Sequence, residues 1–269
     1  MTFVPKSGAH ALVEVVWGLT FSRPFSQSEI ESAIKERVRW SELPRVSRTS
    51  GFQFILGNAA PAPDFQFPIA PGGGVSFDRV NPDGTLAWRL KFDQNNIFVS
   101  CLQYTRWADI WPKVQDFLNN ACDLAVSEDN LVTSAIMQFI DVFEWEGDKS
   151  EYSTGELLNP ESRLIPSAVF DRSQFWHLHQ GWFDDETARG IARIHQRIDI
   201  DGVEDGEGLP IVKIDSYIQH QLHTVKESKA IFASGWIEEI FGEMHQEGKR
   251  MIASLLTPDM ARRIDLNVE

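Results

Sequence analysis

Cysteine and long apolar runs are both scarce in this chain of 269 residues. The two cysteines, Cys101 and Cys122, are too few for a disulfide framework or a four-thiolate metal site. No segment approaches the roughly 20 consecutive apolar residues that a membrane helix requires. Residues 1–21 lack the basic start and the unbroken apolar core of a signal peptide. The sequence therefore predicts a cytoplasmic protein without a membrane span.

Basic residues are in the minority, because 25 lysines and arginines face 39 aspartates and glutamates, and the formal net charge is -14. Phosphate backbones and anionic lipid surfaces attract proteins through clustered Lys and Arg. This charge balance disfavours both kinds of surface. We expect neither nucleic acid nor membrane as the partner.

Several motifs that mark chemistry are missing. The sequence has no G-x-S-x-G or G-x-G-x-x-G motif, and glycines 72–74 are not followed by the Lys-Ser/Thr of a phosphate-binding loop. The acidic segment DIDGVEDGEG, residues 199–208, places Val203 where a calcium loop needs an oxygen ligand. The sequence predicts no cofactor and no bound metal.

Hydrophobic periodicity is what the sequence does contain. Alternating apolar residues predict strands at 12–21, 86–92, 97–104, 133–145, 175–183, 189–200 and 210–220. Steps of three and four residues predict helices at 25–38, from 107 onward, and at about 229–256, with a short helix at 153–166. Residues 58–74 are rich in proline and glycine, which predicts a long irregular connection.

These elements follow nearly the same order twice, namely a strand, a helix, about three strands and a long helix. The sequence thus predicts an α+β protein of two similar half-units, residues 1–128 and 129–269. The short connection between them favours halves that are joined in one globule. Each half is expected to be an antiparallel sheet with one long helix packed on one face, giving a pseudo-two-fold, helix-grip-like or saddle-like arrangement. A single helix-grip-like sheet and two independent domains are the alternatives.

A segment rich in histidine and arginine, FWHLHQGWFDDETARGIARIHQRIDIDG at residues 175–202, raises the question of a metal or catalytic site. Strand alternation puts His177 and His179 on one face of the first strand, and Arg193, His195 and Arg197 on one face of the second. Whether these two faces coincide depends on the hairpin register. The arginines would repel a cation beside His195, so the prediction is a polar sheet face and no metal site.

The next predicted strand adds Lys213, Asp215 and Tyr217 to this region. Such a face is capable of binding an anionic group or an acidic partner, and an ordinary solvated sheet surface is the alternative. The candidate ligand-binding residues are His177, His179, Arg193, His195, Arg197, Lys213, Asp215 and Tyr217. Asp141 lies on an apolar strand face, and we expect it to be a structural acid held by an arginine or a backbone amide.

The order of several segments resembles a known family. These are HALVEVVWGLTF at 10–21, YTRW at 104–107, AIMQFIDVFEW at 135–145, IVKIDSYIQ at 211–219 and EMHQEGKRMIASLLTPDM at 243–260. They are similar to sporadically distributed bacterial proteins of comparable length that have no assigned function. Met137 and Phe139 depart from the more basic, Arg-Tyr type of start in that family. The resemblance supplies no catalytic residues and implies a role beside mobile or defence-type loci.

The sequence favours a non-enzymatic protein-binding or accessory module that uses a sheet face or a helix groove. The reasons are the absence of catalytic motifs, the acidic charge and the abundant aromatic residues. A homodimer is compatible with this hypothesis. The alternative is an enzyme or receptor for a small anionic ligand centred on the polar sheet face of the second half. A third hypothesis, nucleic-acid binding through a saddle-like sheet, is opposed by the net charge.

Overall fold

The computed structural model describes residues 2–8, 10–49, 74–185 and 191–266. Its strands are β1 (Thr2–Pro5), β2 (Leu12–Phe21), β3 (Arg45–Thr49), β4 (Gly74–Val80), β5 (Leu86–Asp93), β6 (Asn96–Cys101), β7 (Val132–Glu146), β8 (Trp176–Asp184), β9 (Ile191–Glu204) and β10 (Pro210–Lys226). Its α-helices are α1 (Gln27–Lys35), α2 (Trp107–Ala125), α3 (Ser228–Ala233), α4 (Trp236–Leu255) and α5 (Pro258–Arg263). The predicted irregular connection at 58–74 lies outside the described residues, except for Gly74, which begins β4.

The strands form one large antiparallel sheet, which confirms the α+β class. The strand order is β3-β4-β5-β6-β2-β7-β10-β9-β8, and β1 pairs with the end of β7. Strands β2 and β7 are neighbours at the middle of this order, so residues from both predicted halves share one sheet. Among the described residues, no helix is both long enough and apolar enough to cross a membrane.

Helices α1, α2 and α4 pack against the sheet, at β4, β6, and β7 with β10 respectively. The alternation predicted for β2 is confirmed, because Val15, Trp17, Leu19 and Phe21 are all buried. Burying one large apolar side chain contributes roughly 1.5–3 kcal/mol. Burial on the side of the sheet that the helices cover therefore contributes to the stability of the fold.

The long helix expected at 229–256 is interrupted. It forms α3 and α4, which are separated at Gly235, whose φ of 73° is left-handed and cannot continue an α-helix. The short helix expected at 153–166 is also wrong, since only a 3-10 turn at Thr154–Glu156 forms at its start. Proline residues 160 and 166 limit helix growth in this segment.

Candidate functional site

The register of β8, β9 and β10 decides whether the two histidine faces coincide. His177 lies opposite Asp201 and His179 opposite Asp199 in the β8–β9 pair. Directly opposed residues of an antiparallel pair point to the same side of the sheet. Phe183 is opposite His195 in the same pair, so the histidines of both strands share one face.

Strand β10 continues this face. Tyr217 lies opposite Arg197, and Asp215 lies opposite Asp199. These residues alternate with His220, which bonds to Glu247 of α4, so they point away from that helix. We refer to the resulting surface as the polar face, formed by His177, His179, Phe183, Arg193, His195, Arg197, Asp199, Asp201, Lys213, Asp215 and Tyr217. All eight residues predicted from the sequence lie on it.

The two histidines of β8 are held by carboxylates of β9. Nδ1 of His177 lies 2.5 Å from Oδ1 of Asp201, and Nδ1 of His179 contacts Oδ1 of Asp199. A carboxylate only accepts hydrogen bonds, so each Nδ1 carries the proton. Both imidazoles are more than half exposed. Within the described ranges, no three His, Cys, Asp or Glu side chains converge in a way that could hold a metal ion.

Arginine charges on the polar face are also paired. Nε of Arg197 lies 2.9 Å from Oδ2 of Asp199, and its guanidinium group lies 4.9 Å from the centre of the Tyr217 ring. Arg193 pairs with Asp185 at 3.3 Å. These pairs compensate the charges of both arginines.

Asp215 is a partly buried carboxylate of the polar face. Burial raises its pKa, while a hydrogen bond from Gln138 and the charge of Lys213 act in the opposite direction. Nε2 of Gln138 donates to both oxygens of Asp215, at 2.7 and 2.8 Å. Lys213 makes no ion pair with any residue in the described part of the chain.

An aromatic row crosses the three strands. The ring of Phe183 stacks on His195 with centroids 4.5 Å apart, and His195 contacts Tyr217 at 5.6 Å. Phe183 is 59% exposed. Burial, together with the charge of Arg197, lowers the pKa of His195, so this imidazole is predominantly neutral at neutral pH. The row thus offers an uncharged aromatic strip between paired charges.

Several residues of this site were not predicted from the sequence. Phe183, Asp201 and Gln138 all contact predicted residues. Phe183 and Asp201 could have been found, because each continues the two-residue alternation of its strand. Gln138 could not, since its role depends on the pairing of β7 with β10.

A buried ion network lies further along the sheet, in the first half. Asp78 accepts hydrogen bonds from Arg45 and Arg89, each at 2.8 Å, and is 1% exposed. Burial would raise its pKa, but the two arginines lower it overall. This network joins β3, β4 and β5.

Asp141 lies on the side of the sheet that the helices cover, and its surroundings differ from those expected from the sequence. Asp141 is 5% exposed, yet it makes no hydrogen bond or ion pair with a described residue. Burial raises its pKa to about 7. The arginine or backbone amide that was expected to hold this acid is therefore not found among the described residues.

Comparison with protein-family models found no matching family, and comparison with curated proteins found no matching protein.

Proposed function

We propose that this chain is a non-enzymatic binding module whose polar face engages a protein partner, in the cytoplasm. The observation that carries the proposal is the Phe183–His195–Tyr217 row between ion pairs, in which Phe183 is exposed and the other two rings are partly buried. Protein interfaces are enriched in aromatic residues and arginine, and exposed aromatic anchors supply most of their binding energy. A partner surface with an apolar pocket for Phe183 and charges of both signs around it would be complementary.

The proposal also includes a pseudo-two-fold relation between the two halves of the chain, residues 1–128 and 129–269. Strands β2 and β7 would lie on either side of a pseudo-two-fold axis, with β6 corresponding to β10 and α2 to α4. The Asp78 network of the first half and the polar face of the second half would then occupy related positions. A partner that spans both, or a second copy of this chain, would fit such an arrangement.

Photo-crosslinking tests the proposal. A photoreactive amino acid is placed at position 183 of the full chain, and a matched control carries it at Glu239, which is exposed on α4. In a lysate of the source organism, we expect a discrete adduct from position 183 that is absent from position 239. The adduct partner is then purified, and its affinity is measured by calorimetry. Phe183→Ala should weaken binding by about 2 kcal/mol or more, as expected for a central anchor.

Two outcomes would count against protein binding. One is an identical set of adducts at both positions, and the other is unchanged affinity of the purified partner for Phe183→Ala. A saturable rise in melting temperature with inorganic phosphate, lost in Lys213→Ala, would favour the small-anion receptor instead, because a ligand of the folded state stabilises it.

A further inference from the structure

A second site is present on the covered side of the sheet, apart from the polar face. A cavity of about 160 Å³ lies between α4, β7, β10 and the segments around β2 and α5. Its apolar lining comes from Leu12, Phe139, Ile252, Ile264 and Leu266. An apolar cavity of roughly 150 Å³ accommodates a benzene-sized molecule. The space is therefore sufficient for a small organic ligand.

Three polar groups in the cavity lining have no hydrogen-bond partner in the described part of the chain. Two are completely buried atoms, Oγ of Ser216 and Nδ1 of His10, and the third is the carboxyl group of Asp141. Ser216 is 1% exposed and Asp141 is 5% exposed. Leaving a buried polar group unsatisfied costs about 1–3 kcal/mol, so native proteins rarely gather three in one place. These groups can therefore form hydrogen bonds with a molecule that occupies the cavity.

These groups are complementary to a ligand that donates hydrogen bonds. Nε2 of His10 lies 2.9 Å from the carbonyl oxygen of Tyr104, which can only accept, so Nε2 carries a proton. In the neutral form of such a ring, Nδ1 is an acceptor. The Asp141 carboxylate is also an acceptor. The Ser216 hydroxyl accepts as well as donates. An ammonium group offers three N–H donors and a charge opposite to that of Asp141.

The basic side chains that line the cavity do not prevent the binding of an ammonium group. Burial and the charge of Lys249 lower the pKa of His245 to about 4, so this imidazole is neutral at neutral pH. Lys249 is partly exposed and so remains in contact with solvent. The ionised form of Asp141 is therefore the buried charge that attracts a cationic ligand, and a bound ammonium group favours that form.

We propose that this cavity binds a small primary amine with an apolar body of about benzene size. The ammonium group donates hydrogen bonds to Asp141, Ser216 and His10, and the hydrocarbon contacts the apolar lining, including Phe139 and Ile252. The proposal is independent of the protein-binding function of the polar face.

Calorimetry and thermal unfolding of the full chain test this inference with benzylamine and cyclohexylamine as probes. Benzyl alcohol and benzoate serve as neutral and anionic analogues. We expect both amines to bind saturably and to raise the melting temperature, and both analogues to bind at least tenfold more weakly. Asp141→Asn should weaken benzylamine binding at least tenfold while leaving benzyl alcohol unchanged.

Further variants separate the site from general effects. Ser216→Ala removes one acceptor and should weaken benzylamine binding several-fold. Lys249→Met should bind benzylamine at least as well as the parent, because it removes a cation. Glu239→Gln is the matched control, since it changes an exposed carboxyl to an amide on the same helix, and its affinity should equal that of the parent.

Three results would overturn the inference. The first is equal binding of benzylamine and benzyl alcohol by the parent, which would identify an unselective apolar void. The second is parent-like benzylamine affinity in Asp141→Asn. The third is no saturable binding of either amine, which would indicate a cavity that holds water only. If Asp141→Asn does not fold, the comparison of analogues on the unmodified chain and Ser216→Ala still decides.

Discussion

Two buried acids show how donors control the charge of a carboxyl group at the residue scale. Burial would raise the pKa of Glu29, but hydrogen bonds from Arg23, Ser127 and Ser26 lower it to about 2. Asp141 is buried to a similar extent without such donors, and its pKa rises to about 7. Glu29 is thus an ionised structural link between α1 and the segment before β7, whereas Asp141 is close to half ionised at neutral pH.

Asp141 makes stability depend on pH in a defined direction. Its folded pKa of about 7 lies above the ordinary value of 3.8, so folding is penalised as pH rises from about 4 to 7. Relative to Asp141→Asn, the parent should lose about 3 kcal/mol of unfolding free energy between pH 5 and pH 8. Urea unfolding of both proteins at each pH measures this difference. The other titratable groups lining the cavity, present in both proteins, are His10, Tyr104, His245, Lys249 and Asp265.

The control for this measurement is Glu239→Gln, which makes an acid-to-amide change at an exposed position of α4. A constant difference between parent and Asp141→Asn would contradict the raised pKa of Asp141.

At the scale of elements, α4 contains two glycines in different surroundings. A Cβ atom added at Gly248 would lie 2.4 Å from Cε2 of Phe139, which is closer than any real contact. A Cβ atom at Gly242 would meet nothing within 4 Å. Gly248 therefore allows α4 to approach β7, whereas Gly242 only adds backbone freedom.

These two glycines should respond to alanine with opposite signs. Gly248→Ala should lower the unfolding free energy by about 1–3 kcal/mol, because the ring of Phe139 must move despite the better helix propensity of alanine. Gly242→Ala should raise it by about 1 kcal/mol. Chemical unfolding followed by circular dichroism checks both. Stabilisation by Gly248→Ala would mean that the helix and the sheet are not as close as described.

At the scale of the whole molecule, contacts between the two predicted halves are extensive. Strands β2 and β7 pair along most of their length. Helices α2 and α4 also meet, with Trp107 stacked on His245 at 4.3 Å and Trp111 in contact with Phe241 at 5.4 Å. Separating the halves would expose both this pair of strand edges and these aromatic rings.

Fragments 1–128 and 129–269 should therefore fail to fold alone. We expect each fragment, expressed separately, to show no cooperative thermal transition, because a bare central strand edge promotes aggregation. Co-expressed fragments should copurify and unfold cooperatively. Circular dichroism melting of the three samples provides the measurement. Cooperative unfolding of either isolated fragment would favour two independent domains.

Local patterns predicted many elements well. The strand at 12–21 and the hairpin of β5 and β6 follow from alternation and from the polar turn between them. The break at Gly235 was not predicted, because the apolar pattern continues through it. A glycine is compatible both with a continuous helix and with a helix end. Strand β3 was missed as well, since most of its side chains are exposed and it has little apolar alternation.

The sequence by itself determined which side chains of β8, β9 and β10 share a face, because alternation is a local property of an extended backbone. Only the tertiary structure decided that His179, Asp199 and Asp215 come together, since register depends on hydrogen bonds between strands that are distant in sequence. The same holds for Asp141. Its place on an apolar strand face could be predicted, but its lack of a donor depends on which distant segments surround it.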